Sequence, residues 1–409
     1  MSPILVSWKN SKSAPLTFLL NTLLIAFGTG ILTILLIASS QFKDKLKNNA
    51  KDIDLVVGAK GSPLQLILSS IYYIDFPTGN ISLEDADKLA SNPMVKRAVR
   101  LGMGDNYNGF RIVGTDTSFI HLYGLKLASG RYWDKDFEVT IGTQVAAALK
   151  LKVGDSFFGS HGLTAGQEEH RDHPYKVTGI LTRQGNVTDN MIITNINSIW
   201  KMHGNEVEDE RHYDADNHHD GKGTAHAGPG KEITVLLIQY YSPMSVILFP
   251  RLVNKTTNMQ AASPALESAR LFSIIGIGID TLQWFAACIM IIAAVSVFVS
   301  IYNSLKERQY DLAVMRIMGA SKGELFLIVI VEGMILTSIG AVTGMVLGHL
   351  ALELIGSSQD ATQAKLSGFY FLTEEIYLFV GGVLIGVIAA VIPAFQAYRS
   401  DIAKTIAKA

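Results

Sequence analysis

The chain has 409 residues, a formal net charge of −1 and a hydrophobic fraction of 48%. That length holds two or more domains, and the balanced charge gives no bulk attraction for nucleic acid. The single cysteine, Cys288, excludes an intrachain disulfide, so any domain exposed outside a membrane must fold on its core alone. A mean hydropathy of +0.27 is high for a soluble protein, and the apolar residues fall in blocks.

In chain order, Lys9 and Lys12 precede a first apolar run, Leu16–Ala38. No small-residue cleavage pattern follows it, so it reads as a retained membrane anchor rather than a signal peptide. A large insert follows, from about 40 to 273. In it, Ser82-Leu-Glu-Asp opens a helix with an N-cap serine and an acidic first turn, ending near Asn92-Pro93. Phe110–Gly114, Glu138–Ile141, Tyr175–Ile180, Met191–Thr194 and Ile233–Tyr240 read as short strands between glycine-rich turns. Val145–Leu149 reads as a short helix. The pattern then predicts one long helix over Gln260–Ile301.

Three further runs, Ile279–Ile301, Leu325–Leu350 and Ile376–Ala397, also reach the roughly 20 apolar residues needed to cross a hydrocarbon core. Cys288 lies inside the first of them and is expected to be a small buried hydrophobe. Gly340, Gly344 and Gly348 recur every four residues on one helix face. That spacing predicts close helix packing, within the chain or across a dimer. Glu332 lies within a span, where charge is costly, and is expected to pair with another helix. His349, near the end of the same span, is expected to be a packing or interfacial residue. The fold class is therefore a membrane protein of four transmembrane helices, arranged one plus three. A large extracytoplasmic mixed α/β domain is inserted between helices 1 and 2. The expected boundaries are 1–39, 40–273 and 274–409.

Orientation follows from lysine and arginine near the spans. Lys306, Arg308, Arg316 and Lys322 lie after the second span, and Arg399, Lys404 and Lys408 in the tail. Only Lys365 lies between the third and fourth. Both termini and the 303–325 loop are therefore expected in the cytoplasm. Lys43, Lys45, Lys47 and Lys51 run against the rule, but long domains translocate largely regardless of charge.

The segment Leu305–Leu325 is a short amphipathic stretch between two spans. It carries Lys306, Glu307, Arg308, Asp311, Arg316, Lys322 and Glu324. Leu312, Met315, Ile317 and Met318 form its apolar side, and Gly319 is expected at C′. Such a helix docks in a groove by apolar anchors, with charged pairs fixing register. A plain solvated link between spans is the alternative.

Eight of the ten histidines lie between 161 and 226: His161, His170, His173, His203, His212, His218, His219 and His226. They alternate with carboxylates in two polar stretches, 160–173 and 203–230. Imidazole with carboxylate suits Zn²⁺, Cu²⁺ or Ni²⁺. A merely solvated polar insertion and a pH-responsive loop are the other readings. No Cys₂His₂ or His-Glu-x-x-His pattern marks a rigid metal site. No Gly-x-x-x-x-Gly-Lys-Ser/Thr loop is present, and Gly221-Lys-Gly-Thr224 lacks its spacing. No Gly-x-Ser-x-Gly nucleophile motif occurs either.

An ordered series runs through the insert: Gly114-Thr-Asp-Thr, Leu127-Ala-Ser-Gly-Arg131, Ile141-Gly-Thr-Gln-Val-Ala-Ala-Ala-Leu149, Val153-Gly-Asp155 and Val177-Thr-Gly-Ile-Leu181. It resembles the periplasmic core domain of MacB-type ABC transporter permeases. Glu307-Arg-Gln-Tyr-Asp-Leu-Ala-Val-Met-Arg-Ile-Met-Gly-Ala-Ser321 is similar to the FtsX-like permease signature. Ile392-Pro-Ala-Phe-Gln-Ala-Tyr-Arg399 and Trp8-Lys-Asn-Ser-Lys-Ser-Ala-Pro15 fit the same family. The resemblance implies a type VII ABC transporter subunit in a bacterial inner membrane, without enzymatic activity of its own and working by mechanotransmission. It implies a second permease copy, a cytoplasmic ATPase dimer holding ATP and Mg²⁺, and a periplasmic adaptor or lipoprotein. Through the resemblance, Glu307, Arg308, Asp311, Leu312, Met315, Arg316, Gly319 and Ala320 become the ATPase-coupling residues. Export or extraction of a drug, peptide or lipoprotein is the expected role. A zinc-linked transport system and a membrane-anchored metal sensor are the alternatives, with zinc on the histidine stretches as the one cofactor foreseen.

Overall fold

The computed structural model describes residues 3–13, 15–161, 173–202, 231–358 and 366–399. The described chain divides into two compact units. One takes residues up to Phe42 and from Ile275 onward; the other is Lys43–Ile274.

The first unit is helical. It contains α1 (Pro3–Ser13), most of α2 (Pro15–Asn49), the greater part of α9 (Pro264–Glu307), α10 (Gln309–Ile317), α11 (Lys322–Ser358) and α12 (Glu375–Arg399). Four of these, α2, α9, α11 and α12, are long and apolar enough to cross a membrane. Their shared core is Ile25, Ala293, Val297, Ile301, Val329, Leu336, Ala390 and Ala394. The glycine periodicity of α11 is used inside the chain. A Cβ at Gly344 would strike the Ala26 carbonyl and the Thr29 hydroxyl of α2, and one at Gly348 would lie 3.0 Å from the Gly30 carbonyl. Gly333 faces Gly386 and Ala390 of α12. Absent side chains thus let backbones meet where apolar solvent gives little reason for helices to associate.

The second unit is mixed α/β. Its strands are β1 (Leu55–Ala59), β2 (Ile81–Ser82), β3 (Val95–Tyr107), β4 (Phe110–Thr115), β5 (Leu127–Gly130), β6 (Glu138–Ile141), β7 (Ser156–Phe157), β8 (Ser160–His161), β9 (Tyr175–Leu181), β10 (Ile192–Asn195), β11 (Glu232–Ile233), β12 (Val235–Tyr240) and β13 (Met259–Ala262). Among the described residues the main sheet runs β13-β1-β12-β3-β4-β10-β6-β9-β5, with β7 on β9 and β8 on β3. β10 is parallel to β4 and β6 to β9, and the other neighbours in the sheet are antiparallel. Helices α3 (Pro63–Ser70), α4 (Leu83–Ala90), α5 (Ser118–Tyr123), α6 (Thr143–Leu149), α7 (196–202) and α8 (Ser245–Thr256) complete it. One core gathers Leu55, Val57, Leu236, Ile238, Phe249 and Val253; a second gathers Phe110, Ile112, Val139, Tyr175, Val177 and Ile199.

Three expectations change. Gln260 belongs to β13, paired with Gly58, so the long helix begins at Pro264 rather than there. The run 259–262 is wanted as a sheet edge, and the proline then starts the helix, since its missing N–H costs nothing in a first turn. Ser82 sits at the N-cap of α4, yet its side chain makes no capping bond because the residue also pairs in β2. Cys288 is exposed on α9. An all-apolar helix has no polar face to identify the outward one, so burial there was not readable from composition.

Candidate functional site

The segment between α9 and α11 folds as a helix with defined ends. The chain passes from α9 into α10 through Arg308, whose N–H still bonds the Ser304 carbonyl at 3.1 Å while its own carbonyl takes the Leu312 N–H at 3.1 Å. α10 closes in a complete Schellman arrangement: Gly319 N–H to Arg316 O at 3.1 Å and Ala320 N–H to Met315 O at 3.0 Å. Gly319 has φ +103°, a conformation that only glycine adopts without strain. Directly after it, Ser321 and Glu324 form a capping box for α11. The Ser321 N–H donates to Glu324 Oε2 at 2.7 Å, and the Glu324 N–H to Ser321 Oγ at 3.1 Å. One tight turn therefore stops one helix and starts the next.

The predicted coupling residues separate into two groups. Leu312 is buried, and Met315 is half-buried; they pack with Leu305, Leu325, Ile328 and Val6. Arg308 turns inward to Glu332 of α11, Nη1 to Oε1 at 3.9 Å, with both side chains mostly covered. Arg316 is half-buried, and its Nη1 donates to the Ala320 carbonyl at 3.1 Å across the turn. Gly319 is the exposed pivot of that turn, and Ala320 is half-buried. These residues hold α10 against its own bundle. The outward group is Glu307 and Asp311; Tyr310, Ile317 and Met318, outside the predicted set, face outward beside them, the last two each 63% exposed. Ile317 and Met318 thus do not share a face with Leu312, as the sequence pattern had put them. The last turn of α10 offers two bare apolar side chains beside charged ones.

One capping signal went unread here, and one expected pairing is met at a place the sequence did not indicate. The Ser-x-x-Glu capping signal was visible at 321–324 but was counted only as a surface charge. Glu332 does pair outside its own helix, as expected, but with Arg308, 24 positions away in the joint between α9 and α10, which lies beyond any helical spacing rule.

The histidine stretches are only partly described. β8 pairs Asp105 with His161 through the backbone, and the ring of His173 stacks on Phe137 with centroids 4.7 Å apart. His170, His203, His212, His218, His219 and His226 lie outside the described residues. Among the described residues, no three metal-ligating side chains converge.

The family motifs in the second unit serve as structural joints. Arg131 and Glu138 form a two-pronged pair, Nη1 to Oε2 at 2.7 Å and Nη2 to Oε1 at 2.5 Å. The N–H groups of Asp134 and Lys135 also bond Oε2. The guanidinium and these donors hold the Glu138 carboxyl at about 2, well below the ordinary 4.5. Gly130, at φ +75°, lets β5 lie against the Thr178 carbonyl of β9 with no room for a Cβ. The Val153-Gly-Asp155 turn is fastened to the same strand by Gly154 N–H to Val177 O and Val177 N–H to Asp155 O, both 2.8 Å.

Comparison with known proteins agrees with this arrangement. Residues 18–238 match the family model of the MacB-like periplasmic core domain, and residues 284–402 match that of the FtsX-like permease C-terminal region. An uncharacterised ABC transporter permease of Methanocaldococcus jannaschii is 25% identical over 281 residues, or 66% of this chain. The chain spans 63% of that relative's length. Among solved structures, the extracellular domain of the noncanonic ABC-type transporter YknZ from Gram-positive bacteria covers 52% of this chain and 99% of itself. Its identity is 14% and its TM-score 0.32. The periplasmic region of MacB from Actinobacillus actinomycetemcomitans covers 56% of this chain and 97% of itself, at 11% identity and TM-score 0.35. With four membrane-type helices, a mixed α/β unit between the first two, and one family model spanning more than half its length, the chain belongs to the MacB/FtsX family of ABC transporter permeases and is a multi-pass membrane protein.

Proposed function

We propose that this chain is the membrane subunit of an ABC transporter that works by mechanotransmission, with ATP hydrolysed in a separate subunit docked on α10. The observation that carries this reading is α10 itself. A helix fixed at both ends and on its inner face leaves Glu307, Asp311, Ile317 and Met318 for an outside partner. Force applied there passes into α11 through Arg308–Glu332 and the Leu312 cluster. In this reading two copies form the membrane dimer. Both termini and α10 lie on the cytoplasmic side of a bacterial inner membrane, and the 43–274 unit lies on the other. The cargo class is a drug, peptide or lipoprotein exported or extracted at the outer face, with an adaptor or lipoprotein as further partner. Co-purification with the ATPase tests it: the expected complex holds two copies of each, and the isolated chain turns over no ATP. Turnover by the chain alone, or no complex, would remove the reading.

The histidine composition supports a second reading of the cargo: eight of ten histidines fall between 161 and 226. In that version the same machine serves zinc-linked transport, and the two stretches capture Zn²⁺ loosely through imidazole and carboxylate.

A further inference from the structure

The second unit displays a group of large apolar side chains at one end of its sheet. β1 begins there at Leu55, opposite Ile238 of β12, and β13 ends there, with Ala262 beside Val56. β3 opens at the same end, where Val95 meets Tyr240. Both helices that lead to the spans leave from it: α2 ends at Asn49, shortly before β1, and α9 starts at Pro264, directly after β13. The Tyr72 hydroxyl marks the same place, 3.4 Å from the Leu46 carbonyl of α2 and 2.5 Å from Ser268 Oγ of α9.

Two separate stretches of chain carry the apolar residues. The first is the loop after α3. Arg111 fixes its backbone, donating from Nε to the Tyr73 carbonyl at 3.0 Å and from Nη2 to the Asp75 carbonyl at 2.5 Å. Tyr73 is held at φ +55°, an unfavourable conformation for a residue with a side chain. The loop so fastened leaves Ile74 and Phe76 outside. The second stretch is the turn from β12 into α8. The Tyr241 N–H bonds the Met94 carbonyl at 3.2 Å, and α8 buries Phe249 and Val253 in the core. Tyr241, Met244, Ile247 and Leu248 face out. All six displayed residues are between 51% and 71% exposed. Soluble surfaces seldom cluster large apolar side chains without a partner.

Charge identifies the partner. Lys43, Lys45, Lys47 and Lys51 lie on and just after the end of α2, and Lys96 and Arg97 open β3. They outnumber the carboxylates Asp44, Asp52, Asp54 and Asp75 at this end, and Glu267 of α9 is paired with Arg270. Asp54 and Asp75 also accept the Tyr240 and Phe76 N–H groups. In a two-fold pair the same patch would meet itself and set these lysines against their own copies. An anionic lipid surface takes the apolar and the basic groups together.

We infer that this end of the α/β unit docks on the headgroup layer of an anionic bilayer. Ile74, Phe76, Tyr241, Met244, Ile247 and Leu248 enter that layer, and the lysines after the first span hold lipid phosphates. The four lysines that oppose the orientation rule thereby gain a use. The docking needs neither the ATPase nor the cargo, so it stands or falls apart from mechanotransmission.

Nitroxides on Phe76→Cys and on Ile247→Cys, each in a Cys288→Ser background, read the contact in the full chain. A third on Thr256→Cys, at the opposite end of α8, is the reference. In nanodiscs of phosphatidylglycerol and phosphatidylethanolamine, the first two labels should be open to oxygen and closed to a water-soluble nickel complex. The third should stay open to nickel. Replacing phosphatidylglycerol with phosphatidylcholine should lower the ratio of docked to free label, by about fivefold for each lysine that contacts phosphate. Lys43→Gln with Lys47→Gln should do the same in the anionic discs. Nickel access at Phe76→Cys and Ile247→Cys equal to that at Thr256→Cys would overturn the inference. Exclusion of nickel with spin–spin broadening would do so too, because it puts a second copy on the patch. Exclusion indifferent to lipid charge and to the two lysines would equally overturn it.

Discussion

At the scale of single residues, the pair between Arg131 and Glu138 gives an acid-dependence with a definite sign. Glu138 titrates at about 2 in the folded unit, below its ordinary value of 4.5. A depressed carboxyl contributes stability that is fully present above the unfolded value and is lost as pH falls toward the folded one. The denaturant midpoint of the α/β unit should therefore fall between about pH 4.5 and pH 2, and Glu138→Gln should both lower the midpoint at neutral pH and flatten that slope. An unchanged slope in the variant, read by near-ultraviolet circular dichroism, would mean that other carboxyls dominate. This pair was half legible. Arg131 stood out as the end of a family motif. Glu138 read only as the start of a strand, because the seven-residue loop that brings them together has no periodicity to betray it.

At the scale of elements, glycines with and without close neighbours make a matched test. Gly344 abuts the α2 backbone, which cannot yield as a side chain can, whereas Gly381 has nothing within 4 Å of its Cβ position. Gly344→Ala should cost roughly 1–3 kcal/mol through overpacking, and Gly381→Ala no more than about 0.5 kcal/mol. Thermal unfolding of the purified chain would show the first variant shifted and the second superimposed on the parent; equal shifts would discredit the packing assignment. The four-residue repeat in α11 was readable because small residues at that spacing have few other uses in lipid. Which helix it meets was not, since α2, α9 and α12 are all uniformly apolar. The same distinction separates the two groups on α10. Ile317→Asp with Met318→Asp should weaken ATPase association by at least about tenfold, roughly 1.4 kcal/mol, with unfolding unchanged, and Asp311→Ala should act in the same direction. Leu312→Asp should instead lower stability, because it puts a carboxylate into the cluster with Leu325 and Ile328. A double aspartate variant that still binds fully would leave α10 as a simple connection.

At the scale of the whole molecule, the order of the parts was legible from blocks of hydropathy, and the family from motifs spread along nearly the whole chain. The strand pairings were not, because the order β13-β1-β12-β3 brings together segments far apart in the chain, β1 and β13 some 200 residues apart. The histidine stretches keep only their composition as argument. The full chain should bind more than one Zn²⁺ with modest affinity, since no Cys₂His₂ or His-Glu-x-x-His pattern marks a rigid site. Binding should weaken as pH falls through about 6.5, where imidazoles protonate. Calorimetry on the chain lacking residues 203–230 should show most of the heat gone, and equal heat would return the stretch to a solvated insertion.

The lone thiol of Cys288, exposed on α9, makes every molecule carry one native attachment point and no more. A spin label placed there has no second label in its own chain to sense. Any dipolar coupling therefore reports another copy. If the membrane assembly is a symmetric pair, pulsed electron resonance should give a single interspin distance, and that distance should change when the ATPase cycles. A trace with no modulation would mean solitary chains, and two distances would mean an unsymmetrical pair. The oligomeric state and its motion can thus be measured on the unmutated sequence.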